Sequence, residues 1–326
     1  MSEVAKECRL CQSTGPHQTI LVREMMFGTQ ELFEYYSCVA CDSLQIVNEP
    51  DGQDLMRHYP PNYYSYNVLA QPRVFRWLVT QQDRFKLHIG GWPVGALMTL
   101  PLFDGILRAL IGGDVVGMLA QLAIERDARI LDVGCGDGAL LDRLAIAGFS
   151  NLSGADPFIV ADGETPQGVP LVKRYLSEVS GEFDLVMFNH SLEHLPDPVP
   201  TLKMASQKLA PGGTCLVRLP TTSSEAWAIY GADWVQIDAP RHFVIPSRQG
   251  MALAAETAGL RVEKTFDDSN LGQFMGSEAY RRGIAVTDPK ILRMFGPKRI
   301  WEWEKRAEEL NRQRRGDQTG FVLRAK

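Results

Sequence analysis

The sequence predicts an α/β fold with a doubly wound, mostly parallel sheet, preceded by a small four-cysteine module. Two observations carry this prediction. From about Ala128 onward, short apolar strands alternate with amphipathic helices, the pattern of a parallel sheet with right-handed crossovers and helices on both faces. Before residue 60, four cysteines form two C-x2-C pairs, a spacing typical of a small metal-bound module.

Four segments follow from changes of pattern along the chain. Residues 1–60 form the cysteine-containing ribbon, and residues 61–125 form a helical linker or lid. Residues 126–268 form the α/β core, and residues 269–326 form a helical insertion and a terminal strand.

The charge of the chain is uneven. Its 326 residues carry a formal net charge of −5, with four Lys/Arg against nine Asp/Glu in residues 1–60 and thirteen against six in residues 281–326. Binding to a phosphate backbone favours a basic module, so the acidic front of the chain argues against nucleic acid as a partner. The polar start, MSEVAKECRL, does not have the pattern of a signal peptide. We therefore expect a cytoplasmic protein.

The four cysteines of the ribbon predict a structural zinc site. Cys8 and Cys11 form the first pair, and Cys38 and Cys41 the second, about 26 residues later. Four thiolates at this spacing can complete a tetrahedron around Zn²⁺. Disulfides are the competing interpretation, but cytosolic thiols stay reduced.

The linker contains the most apolar run of the chain, WPVGALMTLPLFDGILRALIGG at residues 92–113. Prolines and charged residues interrupt it, so it falls short of a membrane span. A buried helical pair or a contact between subunits is the favoured interpretation, and a contact between subunits would make the protein a homodimer. Peripheral contact with a membrane surface stays open.

The elements of the core follow one another in order. Strands are predicted at ARILDVG, NLSGADP, VPLVKRY, FDLVMFN and TCLVRLP, with helices at GALLDRLAIAG and at residues 198–209. QGMALAAETAGL predicts a further helix. RVEKTF and TGFVLRAK predict an antiparallel hairpin at the sheet edge, and KRIWEWEKRAEELNRQRR predicts an amphipathic helix that covers the sheet or a neighbouring subunit.

The glycine loop after the first strand, in RILDVGCGDG, is a candidate cofactor site with two interpretations. Gly134, Gly136 and Ala139 fit the dinucleotide pattern G-x-G-x-x-G/A, and Asp156 lies near the spacing of a ribose-binding acid. Gly134, Gly136 and Gly138 also fit a G-x-G-x-G loop that cradles S-adenosylmethionine. The loop alone does not separate them.

Three further motifs separate the two interpretations of the glycine loop. NHSLEHLPDP follows the fourth strand, an APGG turn precedes the fifth, and two strand candidates end the domain. With LDVGCGDG and GADP, these motifs over residues 126–268 resemble the class I S-adenosylmethionine-dependent methyltransferases. The resemblance implies a seven-stranded Rossmann-like sheet, mostly parallel with an antiparallel last strand, and S-adenosylmethionine rather than NAD as cofactor.

The resemblance extends to a bacterial subgroup associated with surface polysaccharides and sugar modification. It rests on the four-cysteine module, YPPNYYSY, EHLPDP and DWVQIDAPRHFVIPS. The chain is also similar to zinc-containing sugar C-methyltransferases, which carry Glu-His where this chain has Arg241-His242. The resemblance to these sugar-modifying enzymes implies a small-molecule or carrier-linked saccharide as the methyl acceptor.

The resemblance also assigns cofactor-binding residues. It implies that the three loop glycines contact the methionine portion and that Asp156 accepts the ribose hydroxyl protons. Asp132 anchors the loop or the ammonium group of the ligand, with a purely structural brace as an equal alternative. Asn189 and His190 follow the fourth strand, where they lie beneath the sulfonium.

Two further residues, Tyr175 and Leu176, are weaker candidates for the adenine border. They belong to the segment after the third strand, which the resemblance places beside the adenine.

The methyl acceptor needs a base if it is a hydroxyl, and three histidines compete for that role. We favour His242, because the resemblance places its loop over the acceptor, with Asp238 orienting either the histidine or the acceptor hydroxyl. His190 shapes the cofactor pocket or acts as the base itself, and His194 orients the following turn. In the same loop, we expect Trp234 to form a wall of the acceptor pocket and Arg241 to bind a phosphate or carboxylate.

The sequence thus favours methyl transfer to a hydroxyl of a nucleotide-linked or carrier-linked sugar. An RNA methyltransferase with a zinc module and a non-catalytic cofactor-binding scaffold are the alternatives.

Overall fold

The computed structural model of the protein describes residues 2–59, 72–100, 103–105, 107, 114–122 and 124–326. Two sheets organise the described chain, an eight-stranded main sheet and a five-stranded ribbon sheet. Most of the predicted motif YPPNYYSY and part of the apolar run at residues 92–113 lie outside the described residues. None of the described helices combines the length and apolar character that a bilayer span needs.

The main sheet contains the seven predicted strands and one short additional strand. They are β5 (Arg129–Val133), β6 (Asn151–Ala155), β7 (Gly163–Glu164), β8 (Pro170–Val172), β9 (Phe183–Asn189), β10 (Leu209–Pro220), β12 (Leu260–Asp267) and β13 (Gln318–Ala325). Their spatial order is β12-β13-β10-β9-β5-β6-β8-β7. The run from β10 to β8 is parallel, and this central part confirms the predicted α/β fold.

The last two strands form the expected antiparallel pair at the sheet edge, with β12 outermost. β13 lies between β10 and β12 and pairs antiparallel with both. Burial explains why β13 is the inner strand of this pair, because residues 319–323 are buried at every position, and a strand covered on both faces is stable between two neighbours. The antiparallel last strand itself is confirmed, and β7 adds an eighth, two-residue strand to the seven expected.

Ten helices surround the sheets in the described part of the chain. They are α1 (Gly52–Met56), α2 (Arg73–Lys86), α3 (Val94–Met98), α4 (Val115–Gln121), α5 (Ala139–Ala147), α6 (Pro198–Gln207), α7 (Glu225–Tyr230), α8 (Arg248–Thr257), α9 (Gly272–Arg281) and α10 (Pro297–Arg312). The amphipathic α10 buries Ala307 and Leu310, as its apolar stripe predicts. It contacts β12 and packs Trp303 against Phe274 of α9.

Glycines set both ends of α5, the helix that follows the glycine loop. Gly138 at its start and Gly148 at its end have φ of +77° and +111°, a region that favours glycine. A Cβ on Gly138 would lie 2.7 Å from the Thr165 side chain. Gly138 and Gly148 therefore set where the glycine loop ends and where α5 begins and ends.

The ribbon sheet joins the N-terminal module to the core. It contains β1 (Glu3–Val4), β2 (His17–Arg23), β3 (Leu32–Ser37), β4 (Leu44–Ile46) and β11 (Val244–Ile245), in that spatial order and antiparallel throughout. β11 comes from the loop between α7 and α8, about 200 residues later than β4. The ribbon thus shares a sheet with a segment of the core.

Candidate active site

A cavity of about 990 Å³ lies at the carboxyl edge of the parallel strands, where open α/β sheets bind their ligands. The predicted site residues Asp132, Gly134, Gly136, Asn189, His190, Asp238 and His242 all line it. The fold therefore brings predicted site residues from three separate chain segments to one cavity.

The glycine loop leaves β5 with backbone geometry that suits glycine. Gly134, Gly136 and Gly138 all have positive φ, between +55° and +77°. A Cβ on Gly134 would lie 2.4 Å from the Ser191 Cβ, so a side chain there would force the loop apart. The Ser191 hydroxyl donates to the Val133 carbonyl at 2.6 Å, and this bond ties the loop to the segment after β9.

Asp132 is a buried carboxyl without a cationic partner among the described residues. It is 3% exposed, and its Oδ1 has no hydrogen-bond partner. Burial, together with the charge of Asp156, raises the pKa of Asp132 to about 8. A buried carboxyl that lines a cavity and lacks a partner suits a ligand ammonium group.

Asp156 follows β6 and holds the glycine loop through its backbone. Its Oδ2 accepts from Gly136 N at 3.0 Å, and its Oδ1 accepts from Phe158 N at 2.8 Å. Each carboxylate oxygen has two lone pairs, so both retain a position for a hydroxyl donor. Of the predicted cofactor residues, Asp156 and Gly138 lie beside the cavity rather than among its lining residues.

The proposed adenine contacts lie outside the cavity. Tyr175 is 60% exposed, whereas Leu176 is buried in the core. Neither residue is among those that line the cavity.

His190 forms a pair with a buried glutamate that sequence reasoning did not single out. Its Nδ1 donates to Glu193 Oε1 at 3.1 Å, and Glu193 is 1% exposed. Burial alone would raise the pKa of Glu193, but the His190 hydrogen bond and the nearby imidazoles of His242 and His194 lower it to about 2. The sequence did offer a signal for this glutamate, since Glu193 is the first residue of the EHLPDP motif.

The loop between α7 and α8 carries His242 into the cavity; residues 234–247 are called the acceptor loop below. His242 Nδ1 lies 2.8 Å from the Gln236 carbonyl oxygen, which can only accept, so Nδ1 carries the proton. In the neutral imidazole Nε2 then has a free lone pair. Asp238 Oδ2 lies 4.0 Å from this nitrogen.

His194 packs against His242 and acts as part of the frame. The two rings meet edge to face, with centroids 4.6 Å apart. His194 Nδ1 donates to the Arg241 carbonyl at 2.9 Å. Burial and the neighbouring His242 lower the pKa of His194 to about 4, so this imidazole is neutral at physiological pH. One ligand atom from each of Glu193, His194 and His242 lies within 4.8 Å of the others.

The expectation that Arg241 binds a phosphate or carboxylate of the acceptor is wrong. Arg241 is fully buried. Its guanidinium pairs with Asp238 at 2.6 Å and with Glu24 of the ribbon at 2.9 Å, and it donates to the His58 carbonyl at 3.0 Å. These partners belong to the protein itself, so the arginine joins the ribbon to the acceptor loop.

Trp234 also differs from its predicted role as a wall. It is fully buried, and its Nε1 donates to Asp317 at 3.1 Å. Val235 and Gln236 line the cavity in its place. Trp234 anchors the start of the loop, because a large aromatic side chain is most stable when it is enclosed and its N–H is paired.

Beyond the predicted residues, the lining of the cavity includes both polar and apolar side chains. Arg218 of β10 is 2% exposed and donates to Asp268, Asn189 and Gln318. Arg218 could have been identified from the sequence, because it is a charged residue inside the apolar strand TCLVRLP. The other polar lining residues include Asn270, Gln273 and Asp317, and the apolar ones include Met26, Val235, Met275, Val286 and Ile291.

The four ribbon cysteines converge as their spacing predicts. The Sγ atoms of Cys8 and Cys41 are 3.7 Å apart, and those of Cys11 and Cys38 are 3.6 Å apart. All four lie within 4.8 Å of one another. Gln45 Nε2 donates to Cys8 Sγ at 3.0 Å.

Comparisons with known proteins agree with this geometry. A family profile described as a methyltransferase domain matches residues 107–265. The ubiquinone biosynthesis O-methyltransferase of Aromatoleum aromaticum is 31% identical over 161 residues, which cover 42% of this chain and 68% of that protein. The same-named protein of Pseudomonas aeruginosa is 31% identical over 154 residues, which cover 41% of this chain and 65% of the relative.

A solved structure of an S-adenosylmethionine-dependent methyltransferase from Archaeoglobus fulgidus is 21% identical. It covers 61% of this chain and 86% of that one, with a TM-score of 0.39. The sequence relatives, the glycine loop and the order of the sheet carry the assignment: the chain belongs to the class I S-adenosylmethionine-dependent methyltransferases.

Proposed function

We propose that the protein transfers a methyl group to a hydroxyl of a small acceptor, with His242 as the general base. The observation that carries this proposal is the hydrogen bond from His242 Nδ1 to the Gln236 carbonyl at 2.8 Å. It leaves Nε2 as the proton acceptor of a histidine that lines the cavity. The relatives named O-methyltransferase agree with a hydroxyl as the acceptor group.

S-adenosylmethionine, when bound, supplies a methyl group on a positively charged sulfur. The glycine loop and Asp156 would hold its methionine and ribose portions, and the unpaired carboxyl of Asp132 would meet its ammonium group. His242 Nε2 takes the hydroxyl proton of the acceptor, and the adjacent Asp238 carboxylate stabilises the imidazolium that forms. Asn189 and His190 lie at the end of β9 and border the reacting centre.

Within the same proposal, the acceptor is a saccharide, linked to a nucleotide or to a carrier. The polar lining residues support this class, because Asn270, Gln273 and Gln318 offer amide donors and acceptors to several hydroxyls. The side chain of Gln273 is 2% exposed, and its Oε1 has no partner within the described structure. A buried acceptor of this kind is satisfied when a ligand hydroxyl donates to it.

A phenolic acceptor is the second candidate. The apolar lining residues, which include Met26, Val235, Met275 and Ile291, suit an aromatic ring. The relatives named for ubiquinone biosynthesis favour the same class.

A panel assay separates the two candidates. Purified protein is incubated with S-adenosylmethionine and either nucleotide sugars or simple ortho-diphenols, and S-adenosylhomocysteine is measured. The proposal expects product with members of the sugar set and none with the diphenols. Product with the diphenols alone would show that the acceptor is a phenol and not a saccharide. Methylation at a carbon or nitrogen atom would refute the mechanism with a hydroxyl acceptor.

We further propose that the ribbon cysteines hold one structural Zn²⁺. Tetrahedral Zn–S bonds place sulfurs about 3.8 Å apart, close to the 3.6 and 3.7 Å of the two pairs. A disulfide would need about 2.05 Å. Elemental analysis of purified protein should find one zinc per chain, and a folded, metal-free protein with four titratable thiols would contradict this.

A further inference from the structure

The acceptor loop is joined to the ribbon by backbone pairing. Within this loop, β11 pairs with β4, with Val244 opposite Gln45 and Ile245 opposite Leu44. Ile46 N also donates to the Phe243 carbonyl at 2.9 Å. The segment that follows the proposed base is therefore a strand of the ribbon sheet.

The proposed base is held at its own backbone. The Tyr35 hydroxyl donates to the His242 carbonyl at 2.8 Å, and Tyr35 is fully buried in one core cluster with Cys8, Cys38 and Cys41. On the other side, Phe243 N donates to the Glu193 carbonyl at 2.8 Å. His242 is thus fixed between the ribbon and the segment after β9.

The second cysteine knuckle, residues 38–43, contacts the end of the same loop. Ser43 Oγ lies 3.3 Å from Cys41 Sγ and accepts from Ser247 N at 2.9 Å. The Ser247 hydroxyl donates to the Cys41 carbonyl. Thr222, which follows β10, donates from its hydroxyl to the Asp42 carbonyl at 2.8 Å. Any change in the shape of this knuckle is therefore transmitted to the loop.

We propose that the zinc ribbon is a working part of the methyl-acceptor site: it fixes the position of His242, with Tyr35 and Ser43 as positioning residues. This rests on the proposed function for the role of His242. A thiolate site closes around its metal as it folds, so a metal-free knuckle loses the bonds that keep Cys41 and Ser43 under the loop. The segment proposed to bind the cofactor, residues 129–138, belongs to β5 and the glycine loop and makes none of these bonds to the ribbon, so cofactor binding should depend less on the ribbon.

Hydrogen exchange measured by mass spectrometry tests this without any acceptor. Zinc is removed from the full-length protein with a chelator, and peptides covering residues 238–247 and 129–138 are compared. We expect exchange in 238–247 to rise at least tenfold, while 129–138 stays protected and the Kd for S-adenosylmethionine changes less than threefold. Unchanged protection of 238–247, or an equal loss in both segments, would overturn the proposal.

A matched pair of variants tests the link with zinc in place. Tyr35→Phe removes the bond to His242, whereas Tyr36→Phe removes a buried hydroxyl that bonds to Gln45 and to the Glu7 carbonyl instead. One hydrogen bond changes an opening equilibrium by roughly threefold to tenfold, so exchange in 238–247 should rise by that factor in Tyr35→Phe alone. An equal rise in both variants, or none in Tyr35→Phe, would refute the positioning role.

Turnover gives a second readout for the same pair. With any acceptor that the panel identifies, Tyr35→Phe should lower kcat and leave the KM for S-adenosylmethionine unchanged. Exchange reports on the loop whether or not the base is correctly assigned, so failure of the proposed function and failure of this inference remain distinguishable.

Discussion

Replacing Asp132 by Asn should make the protein more stable and a poorer cofactor binder. The pKa of Asp132 is raised from 3.8 to about 8 by burial and by the charge of Asp156. Because the folded-state pKa lies above the unfolded value, the unfolded chain releases this proton more readily. Stability is therefore complete below pH 3.8 and is lost as the pH rises towards 8.

The size of the effect follows from the shift. Each pH unit between the two pKa values costs about 1.4 kcal/mol, which gives roughly 4 kcal/mol at pH 7 and less than about 1 kcal/mol at pH 4. Asn cannot ionise and so avoids this cost. Asp132→Asn should be more stable than the wild type at pH 7 and nearly equal to it at pH 4.

Urea unfolding at the two pH values measures this difference, with Asp127→Asn as an exposed control that should change little at either pH. In the presence of S-adenosylmethionine the advantage of Asn should shrink, since the ligand ammonium pairs with the wild-type carboxylate. A stability difference that is the same at pH 4 and pH 7 would refute the reasoning. So would unchanged cofactor affinity in Asp132→Asn.

Two further predictions concern the acceptor loop. His242→Asn should lower turnover by about 10²–10⁴-fold with nearly unchanged cofactor affinity, measured as S-adenosylhomocysteine formation and by calorimetry; normal turnover here and loss in His190→Asn would move the base to His190. Arg241→Met leaves the carboxylates of Asp238 and Glu24 buried without their cation, so urea unfolding should show a destabilisation of about 3–5 kcal/mol. A change below about 1 kcal/mol would contradict that reading of the buried ion pairs.

The sequence predicted the parts of the fold that depend on local pattern. The glycine loop, the strands β5, β6, β8, β9 and β10, and the two cysteine pairs follow from spacing and from apolar periodicity. Which of the last two strands lies inside the sheet did not follow, because an inner strand and an edge strand can have the same local sequence. Full burial of residues 319–323 on both faces depends on contacts distant in the chain.

The same limit applies to the site. Arg241 was expected to face the acceptor because it lies next to His242, but its partner Glu24 lies more than 200 residues away, in the ribbon. Tyr35 carries no sequence signal for its bond to His242, since aromatic residues are common in ribbon strands. Pairing between distant segments is set by the tertiary fold, which motif spacing does not report.

Calorimetric titration with S-adenosylmethionine tests the central claim most directly. The account predicts one binding site per chain, no binding of NAD, and an affinity at least tenfold weaker in Asp156→Ala, because that variant loses the carboxylate proposed to bind the ribose hydroxyls. Binding of NAD, or equal affinity of S-adenosylmethionine for the wild type and Asp156→Ala, would contradict it.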